Sequence, residues 1–150
     1  MHAVVSIPVI ILTGGVGARI GGNKALRVLA GKSFLVRSLE KARTYSPQVA
    51  VSTNNLNELD LPNGTVLLFD DTDNNGPISG LSSAINYAVA RDADHVLIMP
   101  CDTPFLPTDL MSRLHASIGE ANAAVAFCNG RMHAACSLWR ADAAKSLPAY

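Results

Sequence analysis

The chain has 150 residues, 49% of them hydrophobic and 16% charged, which fits one compact domain with a proper core and excludes a disordered chain. Twelve basic residues balance twelve acidic ones, so no overall field recruits nucleic acid or an anionic membrane, and any anion binding has to be local. Cys101, Cys128 and Cys136 are odd in number and lack C-x-x-C spacing; they give no sign of a disulfide framework or a zinc site, and are expected to be buried, reduced thiols of a cytoplasmic protein.

In chain order, the apolar segment from Ala3 to Leu12 has the hydrophobicity of a signal peptide. It lacks a cationic start and runs straight into a glycine-rich stretch, so it reads as a first strand. Within it, Val9-Ile10-Ile11-Leu12 is a run of the kind buried on both faces of a sheet. No apolar run approaches the length of a membrane span. From Leu12 to Lys24 the chain reads Leu-Thr-Gly-Gly-Val-Gly-Ala-Arg-Ile-Gly-Gly-Asn-Lys. Five glycines in nine positions (14, 15, 17, 21 and 22) let the backbone turn sharply and approach a ligand closely. Amide groups freed in such a turn suit phosphate oxygens, and Arg19 and Lys24 add cations nearby. Two familiar phosphate loops fail on spacing. The dinucleotide fingerprint would need a glycine at Ile20, and a P-loop ending in Gly31-Lys32-Ser33 would need one at Leu26.

Ala25 to Gly31 reads as a short connection. Ser33 to Tyr45 carries Leu35, Val36, Leu39 and Ala42 at helical spacing. A second strand, Val49 to Thr53, is closed by Asn54-Asn55, and a third, Thr65 to Phe69, ends at Asp70-Asp71. Pro77 opens a helix that runs to about Arg91. A fourth strand, His95 to Met99, stops at Pro100-Cys101-Asp102. Pro107, Thr108 and Asp109 open a helix through about Ile118. Ala123 to Phe127 and Ala134 to Trp139 are two further strands joined around Gly130, and Arg140 to Leu147 reads as the start of another helix. Trp139 and Phe127 are expected in the core. His2, His95 and His115 show no ligand-like pairing. The alternation of strands and helices predicts an α/β fold: a three-layer, Rossmann-like, mostly parallel sheet with helices on both faces. Asn54, Asp70, Asp71 and Asp102 all follow strand ends, on the edge where open α/β sheets bind ligands.

The stretch Leu12–Lys24 resembles the signature loop L-A-G-G-x-x-x-R-M-G-x-x-K of nucleotidyltransferases that make activated sugars and dinucleotide cofactors. Gly76-Pro77-Ile78-Ser79-Gly80 resembles G-P-L-A-G, and Pro100-Cys101-Asp102-Thr103-Pro104-Phe105 resembles P-C-D-T-P-[FY]. Together they are similar to the MobA-like family of molybdenum cofactor guanylyltransferases. Thr13, Ile20 and Asn23 depart from the Ala, Met and Asp usual in the loop. The family's N-x-N-x-P motif is not found, so a single domain over 1–150 without the family's C-terminal strand is expected.

The resemblance implies a fold of the nucleotide-diphospho-sugar transferase type and a set of roles. Asp102 is the carboxylate for Mg2+ and contacts the nucleotide; Arg19 and Lys24 hold the triphosphate and act in catalysis. Leu12, Thr13, Gly14 and Gly15 line the nucleotide site, the first three through backbone groups. Asn54 or Ser52 lies near the nucleotide, and Asp70 or Asp71 binds it, with the distance to Gly76-Pro77 favouring Asp70. His133 stands where relatives carry His-Pro, with Ala134 for the proline, and is read as structural. The implied reaction transfers GMP from GTP to the molybdopterin phosphate, giving the guanine dinucleotide and pyrophosphate. Neither nucleic acid nor a membrane is an expected partner, whereas transient contact with other molybdenum cofactor proteins is. Competing readings are a molybdopterin cytidylyltransferase, a sugar-phosphate nucleotidyltransferase, or an inactive nucleotide-binding module.

Overall fold

The computed structural model describes residues 6–13, 28–53, 65–69, 77–103 and 105–145. Their elements run β1 (Val9–Leu12), β2 (Val28–Leu29), β3 (Lys32–Ser33), α1 (Phe34–Tyr45), β4 (Val49–Thr53), β5 (Val66–Phe69), α2 (Pro77–Ala90), β6 (His95–Pro100), α3 (Leu110–Ile118), β7 (Ala123–Cys128), β8 (Arg131–Arg140) and a 3-10 turn, Ala141–Lys145. Six strands form one sheet in the order β5-β4-β1-β6-β8-β7. The pairs β1–β4, β1–β6 and β4–β5 are parallel, while β8 runs antiparallel to both neighbours. The expected three-layer, mostly parallel α/β sheet is what forms.

Alternation along the strands sorts the core into two halves. Val9 and Ile11, Val51, Leu97 and Met99 point to one face, where Leu35, Leu39 and Ala42 of α1 and Leu110, Leu114 and Ile118 of α3 cover them. Ile10, Ala50, Val96 and Ile98 point to the other, against Ala84, Ile85 and Ala88 of α2 and Ala141 and Ala143 of the 3-10 turn. β1 has strands on both sides and helices on both faces, and its Val9, Ile10 and Ile11 are fully buried. That is why its sequence is apolar without alternation.

Helix α1 begins where Ser33 accepts a hydrogen bond from the Val36 amide at 3.1 Å, an N-cap that satisfies one orphan donor. Gly31-Lys32-Ser33 is thus a turn and a helix cap, and Lys32 pairs with Glu40 at 2.8 Å on the surface.

Four expectations need correction. The supposed connection before α1 contains a hairpin, β2–β3, with Ala30 and Gly31 both at positive φ. The helix expected from Arg140 is a short 3-10 helix that starts one residue later, at Ala141, because Arg140 still belongs to β8, and residues 146–150 lie outside the described ones. Phe127, expected in the core, is 68% exposed beside Met132, its partner across the hairpin. The reason is geometric: β8 pairs with β6 only through Ser137–Arg140, so the outer half of the β7–β8 hairpin projects past the body of the sheet. For the same reason Cys128 is an exposed thiol, while Cys101 and Cys136 are buried as expected.

Candidate functional site

In this strand order the chain leaves β1 towards β4 and leaves β6 towards the β8 side, so the topological switch point lies at the carboxyl ends of β1 and β6. Open α/β sheets take their ligands at such a switch point. Leu12 is in register with Ser52 on one side and Pro100 on the other. The three strand ends therefore stand side by side, and the chain leaves them as Thr13, Thr53 and Cys101-Asp102.

Backbone and side-chain hydrogen bonds tie these ends together. The Cys101 amide donates to the Leu12 carbonyl at 3.2 Å. The Thr13 amide and hydroxyl both donate to the Ser52 carbonyl, at 3.1 and 2.9 Å. Ser38, fully buried on α1, donates its hydroxyl to the Cys101 carbonyl at 2.9 Å. Thr103 Oγ1 reaches back to the Pro100 carbonyl at 3.4 Å. Asp102, with its side chain exposed, sits in the turn that follows β6. A hydrogen-bonded, largely buried frame thus carries Asp102 next to the end of β1.

Of the residues singled out in the sequence, the structure brings together Leu12, Thr13 and Asp102. Ser52, one of two alternatives, is also there, but its side chain is fully buried in β4. Gly14, Gly15, Arg19, Lys24, Asn54, Asp70 and Asp71 lie outside the described residues. His133 is exposed on the β7–β8 hairpin, opposite Ala126. Immediately after it the register slips, and Val125 pairs with Ser137 across the irregularity. Within that irregular stretch the Ser137 hydroxyl donates to the Ala134 carbonyl at 2.9 Å and itself accepts from Trp139 Nε1 at 2.8 Å. Trp139 packs partly buried against the α2 side of the core, as expected of it. Burial pushes the Cys136 thiol up to about 11, so it is no nucleophile at neutral pH.

Sequence reading missed Ser38. Nothing in the helical spacing marks it, and only the fold reveals that its partner lies 63 residues away.

A hard carboxylate oxygen at a strand end is the donor type that Mg2+ takes, usually one or two carboxylates with water and substrate phosphates completing the shell. Among the described residues no three histidine, cysteine, aspartate or glutamate side chains converge on one point. Asp102 is a donor of the type that Mg2+ takes.

A family model described as the MobA-like NTP transferase domain matches residues 9–150. A protein of Cereibacter sphaeroides named molybdenum cofactor guanylyltransferase is 37% identical over 142 residues, covering 94% of this chain and 72% of that one. One of the same name from Rhizobium meliloti is 39% identical over 155 residues, covering 95% and 67%. The crystal structure of molybdopterin-guanine dinucleotide biosynthesis protein A from Archaeoglobus fulgidus superimposes with a TM-score of 0.74 at 21% identity, over 93% of this chain and 70% of that one. With motifs, strand order and alignment in agreement over nearly its whole length, the chain belongs to the MobA-like NTP transferase domain family.

Proposed function

We propose that the chain transfers GMP from GTP to the phosphate of the molybdopterin-bearing molybdenum cofactor, forming the guanine dinucleotide and releasing pyrophosphate. The observation that carries this reading is the tie between the last residue of β1 and the turn holding Asp102, which joins the glycine loop's root to a carboxylate at the switch point. Relatives named molybdenum cofactor guanylyltransferase, aligned over 94–95% of the chain, support this choice of base and acceptor.

In the reaction, an oxygen of the acceptor phosphate attacks the α-phosphorus of GTP. The bond from that phosphorus to the bridging oxygen breaks, and pyrophosphate leaves with the electron pair. The attacking group is already an anion, so no side chain is assigned as general base. What the protein contributes is positioning and neutralisation of charge. Asp102 holds Mg2+, which when bound screens the reacting phosphates from each other. Arg19 and Lys24 hold the triphosphate and offset the charge that grows on pyrophosphate. Gly14 and Gly15 let the loop backbone approach the nucleotide, with Asn54 and Asp70 completing its contacts. At the base, backbone groups of Leu12, Thr13 and Gly14 line the pocket; the Thr13 amide already serves the sheet, so Thr13 contributes through its carbonyl. We place the protein in the reducing cytoplasm, where its three free cysteines are stable, in transient contact with proteins that supply or receive the cofactor.

Calorimetric titration of GTP, CTP and ATP with Mg2+, repeated on Asp102→Ala, tests the reading. Selective GTP binding that weakens in the variant is expected, together with formation of the guanine dinucleotide when the acceptor is added. Equal binding of all three nucleotides would point to another base or acceptor, and no binding of any would point to a non-catalytic module.

A further inference from the structure

Cys101, the residue that leads into Asp102, is held through both of its backbone groups. On one side, the Cys101 amide donates to the carbonyl of Leu12, at the end of the central strand. On the other, the Cys101 carbonyl accepts the hydroxyl of Ser38 at 2.9 Å, from the inner face of α1. A serine inside a helix usually returns its hydroxyl to a carbonyl of its own preceding turn. Ser38 instead spans to a different element, and it is fully buried, while the Cys101 side chain is 6% exposed. The Cys101 carbonyl and the Asp102 amide belong to one rigid plane. Fixing that carbonyl therefore fixes the direction in which the Asp102 Cα leaves the sheet.

We propose that Ser38 is a positioning residue for the reaction: through the Cys101 carbonyl it aims the carboxylate of Asp102 at the cation shared with the nucleotide. This rests on the reading of Asp102 as the Mg2+ carboxylate. Asp102 is exposed, and the backbone plane beneath it sets where its side chain starts. Ligand groups need to be held within about 0.5 Å of their working geometry, and losing a supporting partner typically weakens metal affinity or activity by about 10–100-fold. A serine that merely satisfied a buried carbonyl would change stability and leave cation affinity alone.

The two roles separate with Mn2+ as a spectroscopic probe. Ser38→Thr and Ser38→Val have nearly the same shape and differ in the hydroxyl; Ser38→Ala is a smaller companion should the bulkier pair fold poorly. Mn2+ affinity in the presence of GTP is measured by electron paramagnetic resonance, below the Tm of each variant, alongside the Mg2+ concentration that gives half-maximal turnover. Expected are a roughly tenfold loss of Mn2+ affinity and a matching rise in the Mg2+ requirement for Val and Ala, with Thr close to the parent. Leu39→Ala, the buried neighbour on α1, lowers Tm without moving Mn2+ affinity. Unchanged Mn2+ affinity in Ser38→Val and Ser38→Ala, with Asp102→Asn deficient, overturns the proposal for Ser38 alone. Normal affinity in Asp102→Asn overturns the metal reading of Asp102 and the role of Ser38 with it.

Discussion

Thr13 stands where the family's loop usually has alanine, and its hydroxyl does something alanine cannot: it donates to the Ser52 carbonyl at 2.9 Å, beside the bond made there by its own amide. Thr13→Ala is expected to cost about 0.5–1.5 kcal/mol, the usual net worth of one such bond, read as a fall of a few degrees in Tm by calorimetry. The cysteines differ just as locally. Cys128 is exposed, whereas Cys101 and Cys136 are buried and burial raises the thiol of Cys136 to about 11. A disulfide reagent added to the native protein is therefore expected to modify Cys128 rapidly and the other two only on unfolding, as peptide mapping would show. Whether a given apolar or sulfur-bearing residue is inside could not be read from its type alone. Phe127 and Cys128 follow a proper strand pattern, yet they lie beyond the point where β8 loses its pairing with β6.

Among the elements, those with a strong period were legible: β1, β4, α1, α2, β6 and α3 lie within a few residues of where the apolar spacing puts them. The β7–β8 turn was legible too, because Asn129-Gly130 is the residue pair that tolerates positive φ at both positions, here 53° and 77°. The β2–β3 hairpin was not, since its turn is Ala30-Gly31, and alanine gives no such signal although its φ is 52°. That alanine sits in a left-handed conformation its Cβ disfavours. Replacing it with a residue suited to the turn, Ala30→Asn, is expected to add about 0.5–1 kcal/mol of stability, seen as a rise of a few degrees in Tm. Likewise Leu39→Ala, which empties a fully buried site between α1 and the sheet, is expected to cost about 2–5 kcal/mol in denaturant unfolding. The register slip in β8 left no trace in the sequence, because Ala134-Ala135 is compatible with either regular or irregular backbone.

At the scale of the whole molecule, the fold separates its acid-sensitive end from its ligand end. His95 opens β6 at the amino edge of the sheet, edge-on to His115 with ring centroids 5.0 Å apart. Its Nε2 is buried without a hydrogen-bond partner among the described residues. Burial first, then His115 and Arg140, hold its pKa below 6.5, with Asp94 and Asp142 opposing weakly. The folded state resists protonation there, so the contribution of His95 to stability is complete above about pH 6.5 and is lost as pH falls below it. Thermal unfolding between pH 7 and pH 5 is expected to show that loss, and His95→Leu to reduce it. The place of Asp102 at a strand end was legible from the sequence alone, since it follows β6 wherever the neighbouring strands fall. The order of strands carries a further consequence, for synthesis of the chain. Val9 of β1 is paired with Leu97 of β6, about ninety residues later. At a translation rate of ~5–20 residues per second, the most apolar strand of the sheet spends on the order of 5–20 seconds with that edge open. Slowing elongation between β4 and β6 would lengthen this interval, and it is there, rather than in the finished fold, that self-association has its opening.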